Sequence, residues 1–172
     1  MKRLAPTIIL AFVLTAGPAV GQDHYRGGVW GGLGFGWSSL GCLDCSEDNI
    51  GGVAGIGKIG GTMSPYLRLA AASNTWNRSE DGVSAQVSSF ELQAQIFPQA
   101  GDWFLTLGGG IGGAAIDYDY EDVYGAITGG VGYNINLGER RKVALVPELT
   151  FTMLTSNTLA YFFQAAFGFY WN

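Results

Sequence analysis

Residues 159–171 read LAYFFQAAFGFYW, and their side chains alternate between large apolar groups and a mixed set. Because successive side chains of an extended strand point to opposite faces, this alternation predicts a β-strand with one strongly apolar face. The segment exceeds the about 5–6 residues usual for strands of soluble proteins, and it reaches the about 9–11 residues with which a tilted strand crosses a membrane. The apolar face would carry Leu159, Tyr161, Phe163, Ala165, Phe167, Phe169 and Trp171.

Seven further segments of the chain show a similar pattern and are separated by polar residues, Gly or Pro. Pro147 lies inside one of them. Since proline cannot donate a ladder hydrogen bond, we expect either a bulge near Pro147 or a later start of that strand. The eight strands are predicted at residues 28–39, 50–59, 66–74, 83–97, 103–116, 124–137, 143–153 and 159–171.

The second face of these strands is rich in Gly, Ser, Thr, Asn and Gln but carries little charge. A soluble barrel would need a charged outer surface, so we assign the small and polar face to a narrow lumen and the apolar face to lipid. Closing the sheet removes the edges that lipid does not tolerate. The predicted fold is all-β, an eight-stranded antiparallel up-and-down transmembrane β-barrel. The ionisable residues predicted in mid-strand are Lys58, Arg68, Glu91 and Glu148.

The composition excludes several other classes of protein. The chain has 172 residues, is 48% hydrophobic and 13% charged, and contains 28 Gly. This apolar content is too high for intrinsic disorder, and so much Gly would cost a helical bundle about 1 kcal/mol per helical position. The formal net charge of -5 disfavours a nucleic-acid-binding function.

The beginning of the chain is predicted to be a cleaved signal peptide. Lys2 and Arg3 form a positive start, residues 4–15 are apolar, and residues 19–21 fit the small-x-small cleavage rule. The apolar run is shorter than the about 20 residues of a membrane-spanning helix. We therefore predict a signal peptide at residues 1–21 and an outer-membrane β-barrel domain at residues 22–172.

The predicted connections between strands differ in length. The links at residues 60–65, 98–102 and 138–142 are short. In outer-membrane barrels short turns face the periplasm and longer loops face outside. We therefore expect the second set, which is mostly longer and more polar, on the outer side. It comprises residues 40–49, 75–82, 117–123 and 154–158.

The signal peptide, the eight alternating strands and the aromatic-rich end YFFQAAFGFYW resemble the small eight-stranded outer-membrane barrels of the OmpA-, OmpX- and OmpW-like type. The resemblance covers the mature chain. It implies a porin-like cell-envelope protein in the outer membrane of a Gram-negative bacterium, surrounded by outer-membrane lipid. It also implies that the barrel-assembly machinery reads the last strand, although Asn172 follows the aromatic Trp171. We expect a monomer that does not bind nucleic acid.

Enzymes among these barrels mostly use a His as general base, which a hydroxyl nucleophile needs within hydrogen-bond reach. His24 is the only histidine, and it precedes the first strand. We therefore expect no catalytic residue, no enzyme activity and no cofactor. The predicted function is a structural or surface-interaction role with acidic extracellular loops. The alternatives are a narrow channel or carrier for small or hydrophobic solutes, and a soluble periplasmic lipid-binding barrel with the two faces reversed.

Three charged residues of the lumen face, Arg68, Glu91 and Glu148, are expected to form a polar network, because buried charges must be paired and hydrogen-bonded. Such a network would plug an eight-stranded barrel, whose interior side chains can fill. The alternative is a gated ion path.

Two predicted loops carry residues that could form a further site. Cys42 and Cys45 form a C-x-x-C in an exported chain, which favours a disulfide over free thiols or a metal site. The ring is small, so its stabilisation should lie near the low end of the range of about 0–5 kcal/mol. An acidic outer loop lacks the spacing of an EF-hand, so we expect a solvated loop that repels anions and holds no metal. Its carboxylates belong to Asp117, Asp119, Glu121 and Asp122.

Overall fold

A computed structural model describes residues 28–42, 49–80, 82–116, 119–138, 142–155 and 160–171. Of residues 116 and 119–122 it describes the backbone only. The predicted signal peptide and His24 lie outside these ranges. Within them, no helix is long and apolar enough to cross a membrane.

Most of the described residues lie in nine β-segments. A 3-10 turn, Pro98–Ala100, connects the fourth and fifth. The segments are β1 Gly28–Cys42, β2 Ile50–Ser64, β3 Leu67–Glu80, β4 Val83–Ile96, β5 Trp103–Ile116, β6 Asp119–Tyr133, β7 Ile135–Leu137, β8 Val143–Thr155 and β9 Ala160–Trp171.

These segments form one closed antiparallel sheet. Consecutive strands pair along the chain, and β1 also pairs with β9. Both β6 and β7 pair with β8, so together they form the sixth strand of the wall. The fold is therefore an eight-stranded up-and-down β-barrel, which confirms the predicted fold class. Closure pairs the backbone groups of the described strands with their neighbours, as a hydrocarbon environment requires.

The pairing is staggered around the wall. A path that starts at Trp30 and steps from partner to partner across all eight strands returns to β1 at Leu40, ten residues further along. Such a stagger tilts the strands against the barrel axis, and strand number and stagger together set the width of the interior. With eight strands the interior is just wide enough for side chains to fill. The residues on this path between Trp30 and Leu40 are Gly60, Ala70, Gln93, Gly108, Thr128, Thr152 and Phe162.

The apolar and the polar side chains lie on opposite faces of the wall, as predicted. Large apolar side chains point outward, with Leu92 74%, Phe35 70% and Leu33 65% exposed. So much exposed apolar surface is unfavourable in water, so the outer surface faces lipid. The alternative with the apolar face inside is wrong. The buried polar side chains of the interior are Ser38, Lys58, Arg68, Asn74, Ser89, Glu91, Gln93, Gln95, Thr106, Thr128, Asn134, Glu148, Thr150, Thr152 and Gln164.

Several strands extend further than the sequence predicted. β1 continues to Cys42, β3 continues to Glu80, and β6 begins at Asp119. The links after β3 and β5 are therefore short, and the predicted length of these two outer loops is wrong. Backbone pairing needs no apolar side chain, so the ladder continues past the residues whose alternation marks the lipid-facing band.

Pro147 lies inside β8 with neither of the two predicted adjustments. The ladder between the sixth strand and β8 is interrupted from Gly132 to Ile135, and the register is the same on both sides of the gap. Proline has no N–H to donate, which explains the interruption opposite it. The N–H of Asn134 donates instead to the carbonyl oxygen of Asp102, at 2.8 Å. The predictions of a bulge and of a later strand start are both wrong.

We expect Gly36→Ala to destabilise the barrel by about 1–3 kcal/mol, the usual cost of overpacking. A Cβ at residue 36 would lie 2.0 Å from the carbonyl oxygen of Ala165, so the pairing of β1 with β9 must shift. The matched control is Gly129→Ala on β6, where a Cβ meets nothing within 4 Å. The measurement is the urea midpoint of unfolding in detergent micelles. Equal midpoints for the two variants would contradict the close approach of β1 to β9.

Candidate functional site

The barrel interior has three layers along its axis. At the end near the Pro98–Ala100 turn, buried apolar side chains form a lower plug, and a second set forms an upper plug at the other end. Buried polar residues lie between the two sets, and we call them the polar belt. The lower plug comprises Trp30, Ala70, Phe97, Phe104, Ala144, Val146 and Tyr170. The upper plug comprises Trp76, Val87, Ala126, Leu154 and Phe162. The polar belt includes Lys58, Asn74, Ser89, Glu91, Gln93, Thr106, Thr128, Glu148, Thr150, Thr152 and Gln164.

A buried ion pair crosses the polar belt. The Nζ of Lys58 on β2 lies 2.5 Å from Oε1 of Glu148 on β8, and the two side chains are 0% and 2% exposed. The hydroxyl of Tyr170 donates to the second carboxylate oxygen at 2.7 Å. The hydroxyl of Thr106 donates to the first at 3.3 Å. Glu148 therefore has both the opposite charge and the hydrogen bonds that a buried carboxylate needs.

Glu91 lies in the same belt but has a different kind of environment. Its carboxylate accepts four hydrogen bonds, and every donor is neutral. No basic side chain of the described residues lies within ion-pair distance of it. The donors are the hydroxyls of Ser89 at 2.5 Å and Thr128 at 2.7 Å, and the amides of Gln93 at 3.0 Å and Asn74 at 3.2 Å.

Arg68 lies in the lower layer, against two aromatic rings. Its Cζ is 4.8 Å from the centre of the Phe97 ring and 5.6 Å from that of Trp30. Contacts of this geometry are favourable because a guanidinium is attracted to the face of an aromatic ring. The structure thus buries all three residues of the predicted network and gives Glu91 and Glu148 separate hydrogen-bond partners. Arg68 lies near Tyr170, whose hydroxyl donates to Glu148.

Small residues beside Glu91 and Glu148 make room for their long side chains. Both neighbours in register are Gly or Ala in these two cases, so each side chain can extend across the narrow lumen. Lys58 shows this pattern too, and sequence reasoning missed its role. A lysine on the lumen face between two small register partners is the signal that could have identified it. The pairs of neighbours are Gly32 and Ala72 for Lys58, Ala72 and Gly110 for Glu91, and Gly132 and Ala166 for Glu148.

The predicted loop sites fall only partly within the described residues. Cys42 ends β1, whereas Cys45 lies outside, so the disulfide stays a prediction. Asp117 also lies outside. The backbone of Asp119, Glu121 and Asp122 belongs to β6, so these residues begin a strand and are not part of the predicted loop. The same end of the barrel carries an exposed ion pair between Arg78 and Glu80.

Comparison with known proteins gives matches of structure only. No protein-family model and no curated protein matches this sequence. Neisserial surface protein A, NspA, superposes with a TM-score of 0.65 at 13% identity, over 83% of this chain and 96% of that chain. Ail, the attachment invasion locus protein of Yersinia pestis, superposes with a TM-score of 0.56 at 11% identity, over 84% and 99%.

The fold is that of the small outer-membrane barrels. At these identities the likeness concerns the fold alone. It confirms the predicted resemblance in fold, and the lipid-facing outer surface agrees with the outer-membrane location that the sequence predicted.

We expect Lys58→Met alone to lower the free energy of unfolding by about 3–5 kcal/mol, because it leaves the Glu148 carboxylate buried without a cation. The double variant Lys58→Met/Glu148→Gln should lose much less than the sum of the two single variants. The exposed pair of Arg78 and Glu80 is the matched control, since such pairs contribute about 0–1 kcal/mol. The measurement is a double-mutant cycle from urea unfolding in micelles. Additive losses at Lys58 and Glu148 would contradict the buried pair.

Proposed function

We propose that the protein is a non-enzymatic structural barrel that supports surface contacts through its acidic outer end. The observation that carries this proposal is the closed interior. A side-chain plug lies at each end of the polar belt, so the interior offers no continuous path for a solute, and the surfaces left for interaction are the two rims and the lipid-facing wall.

The two plugs are well packed. Trp30 and Phe104 in the lower plug are 1% and 0% exposed, and Trp76 and Phe162 in the upper plug are 2% and 0% exposed. Large rings of this kind fill most of the cross-section of an eight-stranded barrel. The polar belt between them is held by the Lys58–Glu148 pair and by the hydrogen bonds to Glu91, as expected of a structural interior.

The outer end is where contacts with other surfaces would form. The sequence places acidic residues in the link after β1 and around the start of β6, and the chain carries a formal net charge of -5. Complementary charge speeds and orients encounters between surfaces, so a cationic or polar surface is the expected partner. The name of Ail, an attachment invasion locus protein, supports an adhesive role for a barrel of this shape.

The interior also gives no support to hydrolase chemistry. A buried serine, Ser89, is present, but its hydroxyl donates to the Glu91 carboxylate. A Ser nucleophile needs an oriented base, most often a His, next to the reacting carbonyl. Here the hydroxyl is enclosed between two plugs, where no substrate can reach it. We therefore propose that the barrel has no enzyme activity.

The outer surface and the last strand indicate which molecules the barrel contacts. Phe167, Phe169 and Trp171 of β9 are all about half exposed and face outward, which suits contact with outer-membrane lipid. We propose that the barrel-assembly machinery recognises this strand and that the closed barrel is a monomer.

A narrow channel is the second candidate, and the polar belt favours it. Oδ1 of Asn74 and Oε1 of Gln93 are buried in the belt without a hydrogen-bond partner. Buried polar groups of this kind are often satisfied by water. A hydrated belt would become a path for small solutes if both plugs moved aside.

We expect the purified barrel to produce no resolved conductance steps in planar lipid bilayers, because the aromatic plugs close both ends. A large porin reconstituted in the same way is the positive control, and detergent alone is the negative control. Reproducible steps from the barrel would contradict the closed interior and move the channel to first place.

We expect neutralisation of the acidic outer residues to reduce adhesion of cells that display the barrel. The variant carries Asn at residues 117, 119 and 122 and Gln at residue 121, and attachment to polylysine-coated beads is counted. The loss should be severalfold at low salt and vanish near 1 M salt, where the screening length falls to about 3 Å. Asp102→Asn, at the opposite end of the barrel, is the matched control. Equal attachment of wild type and outer variant at low salt would contradict the surface role.

A further inference from the structure

Glu91 differs from the other buried carboxylate in having no cationic partner. Its side chain is enclosed in the polar belt, and the residue is 1% exposed. The neighbouring Lys58 binds Glu148 instead. All four donors to Glu91 are neutral, as described above. A buried negative charge is strongly disfavoured unless an opposite charge compensates it, and neutral donors compensate only in part.

Two amides next to Glu91 are only half satisfied. The nitrogens of Asn74 and Gln93 donate to its carboxylate, but Oδ1 of Asn74 and Oε1 of Gln93 have no hydrogen-bond partner. Both residues are fully or almost fully buried, at 0% and 1% exposure. Unpaired buried oxygens are rare in native structures.

A rotation of each amide would exchange its oxygen and nitrogen at little steric cost, since the two groups are nearly the same shape. Each oxygen would then face the carboxylate. Such a change is unfavourable beside a bare carboxylate and favourable beside a cation. With both amides rotated, every polar atom that faces the Glu91 carboxylate would be an oxygen, which gives six oxygens together with the carboxylate itself. They are the two carboxylate oxygens of Glu91, the hydroxyls of Ser89 and Thr128, and the carbonyl oxygens of Asn74 and Gln93.

Gly108 provides the space at this point of the wall. A Cβ at residue 108 would lie 2.8 Å from Oε2 of Glu91 and 2.7 Å from Cγ of Gln93. Any larger residue would therefore push these two side chains away from β5. The glycine allows both of them to lie close to the wall beside the remaining oxygens.

We propose that this oxygen shell binds one small monovalent cation, with Na⁺ as the natural choice. Hard cations prefer shells made only of oxygen, with about six ligands. The shell contains one carboxylate, so a monovalent ion neutralises it, whereas a divalent ion would leave a net positive charge buried in the belt. The ion is enclosed between the two plugs and is bound as the barrel folds. The sequence alone predicts no metal site, and a lone carboxylate on a strand carries no ligand-spacing signal.

The test compares NaCl with choline chloride at equal ionic strength, because choline is too large for the shell. Urea unfolding of the full mature chain is followed by the change in gel mobility in micelles. A ligand that binds the folded state alone raises the folding equilibrium constant by a factor of one plus the ratio of its concentration to the dissociation constant, so by about tenfold at about ten times that constant. We expect a stability that rises with the logarithm of the Na⁺ concentration for the wild type and no rise for Glu91→Gln.

Two further variants act as controls. Glu80→Gln removes an exposed carboxylate, and Lys58→Met/Glu148→Gln removes the other buried carboxylate together with its lysine. Both should keep the Na⁺ response, which is measured within each variant. No difference between the two salts in the wild type, or the same difference in Glu91→Gln, would overturn the proposal.

If Glu91→Gln does not refold, the wild type still provides a test. The side-chain amide signals of Asn74 and Gln93 in ¹H–¹⁵N NMR spectra should shift when Na⁺ replaces choline, because both amides rotate. Signals that stay in place would overturn the proposal.

Discussion

Inside a membrane, a backbone N–H or C=O group without a partner costs several kcal/mol, because no water is present to bond it. Closure of the eight-stranded ladder satisfies this constraint, and the rest of the structure depends on it. The gap opposite Pro147 shows how strict it is. The register does not change there, and the N–H of Asn134 finds a substitute acceptor in the carbonyl of Asp102.

A closed wall of eight strands leaves an interior of side-chain width, and this width decides what the lumen can contain. Lys58, Glu91 and Glu148 each lie between neighbours in the wall that are Gly or Ala. The interior is packed with side chains, with apolar rings at the two ends and these three charged residues between them. Because this core occupies the lumen, we propose that interaction with other molecules takes place at the outer end.

The alternation of side chains predicted the number of strands, their faces and the type of barrel, because a period of two residues is a local property of an extended chain. Strand ends were less predictable. β3 and β6 extend beyond the alternating region, since backbone pairing there does not depend on apolar side chains. For the interior, the sequence identified Arg68, Glu91 and Glu148 as lumen residues but did not identify their partners. Lys58 and Glu148 are 90 residues apart, so only the closed barrel brings them together.

The sequence by itself determined that this chain forms a lipid-facing barrel, because lipid exposure requires an apolar outer face on every strand and that requirement is visible one strand at a time. The tertiary structure alone decided which charges are paired and whether the lumen is open. Those outcomes depend on the stagger of the wall, which sets the height of each residue and the side chain opposite it. The same stagger gives Glu148 a lysine and gives Glu91 a shell of neutral oxygen and nitrogen groups.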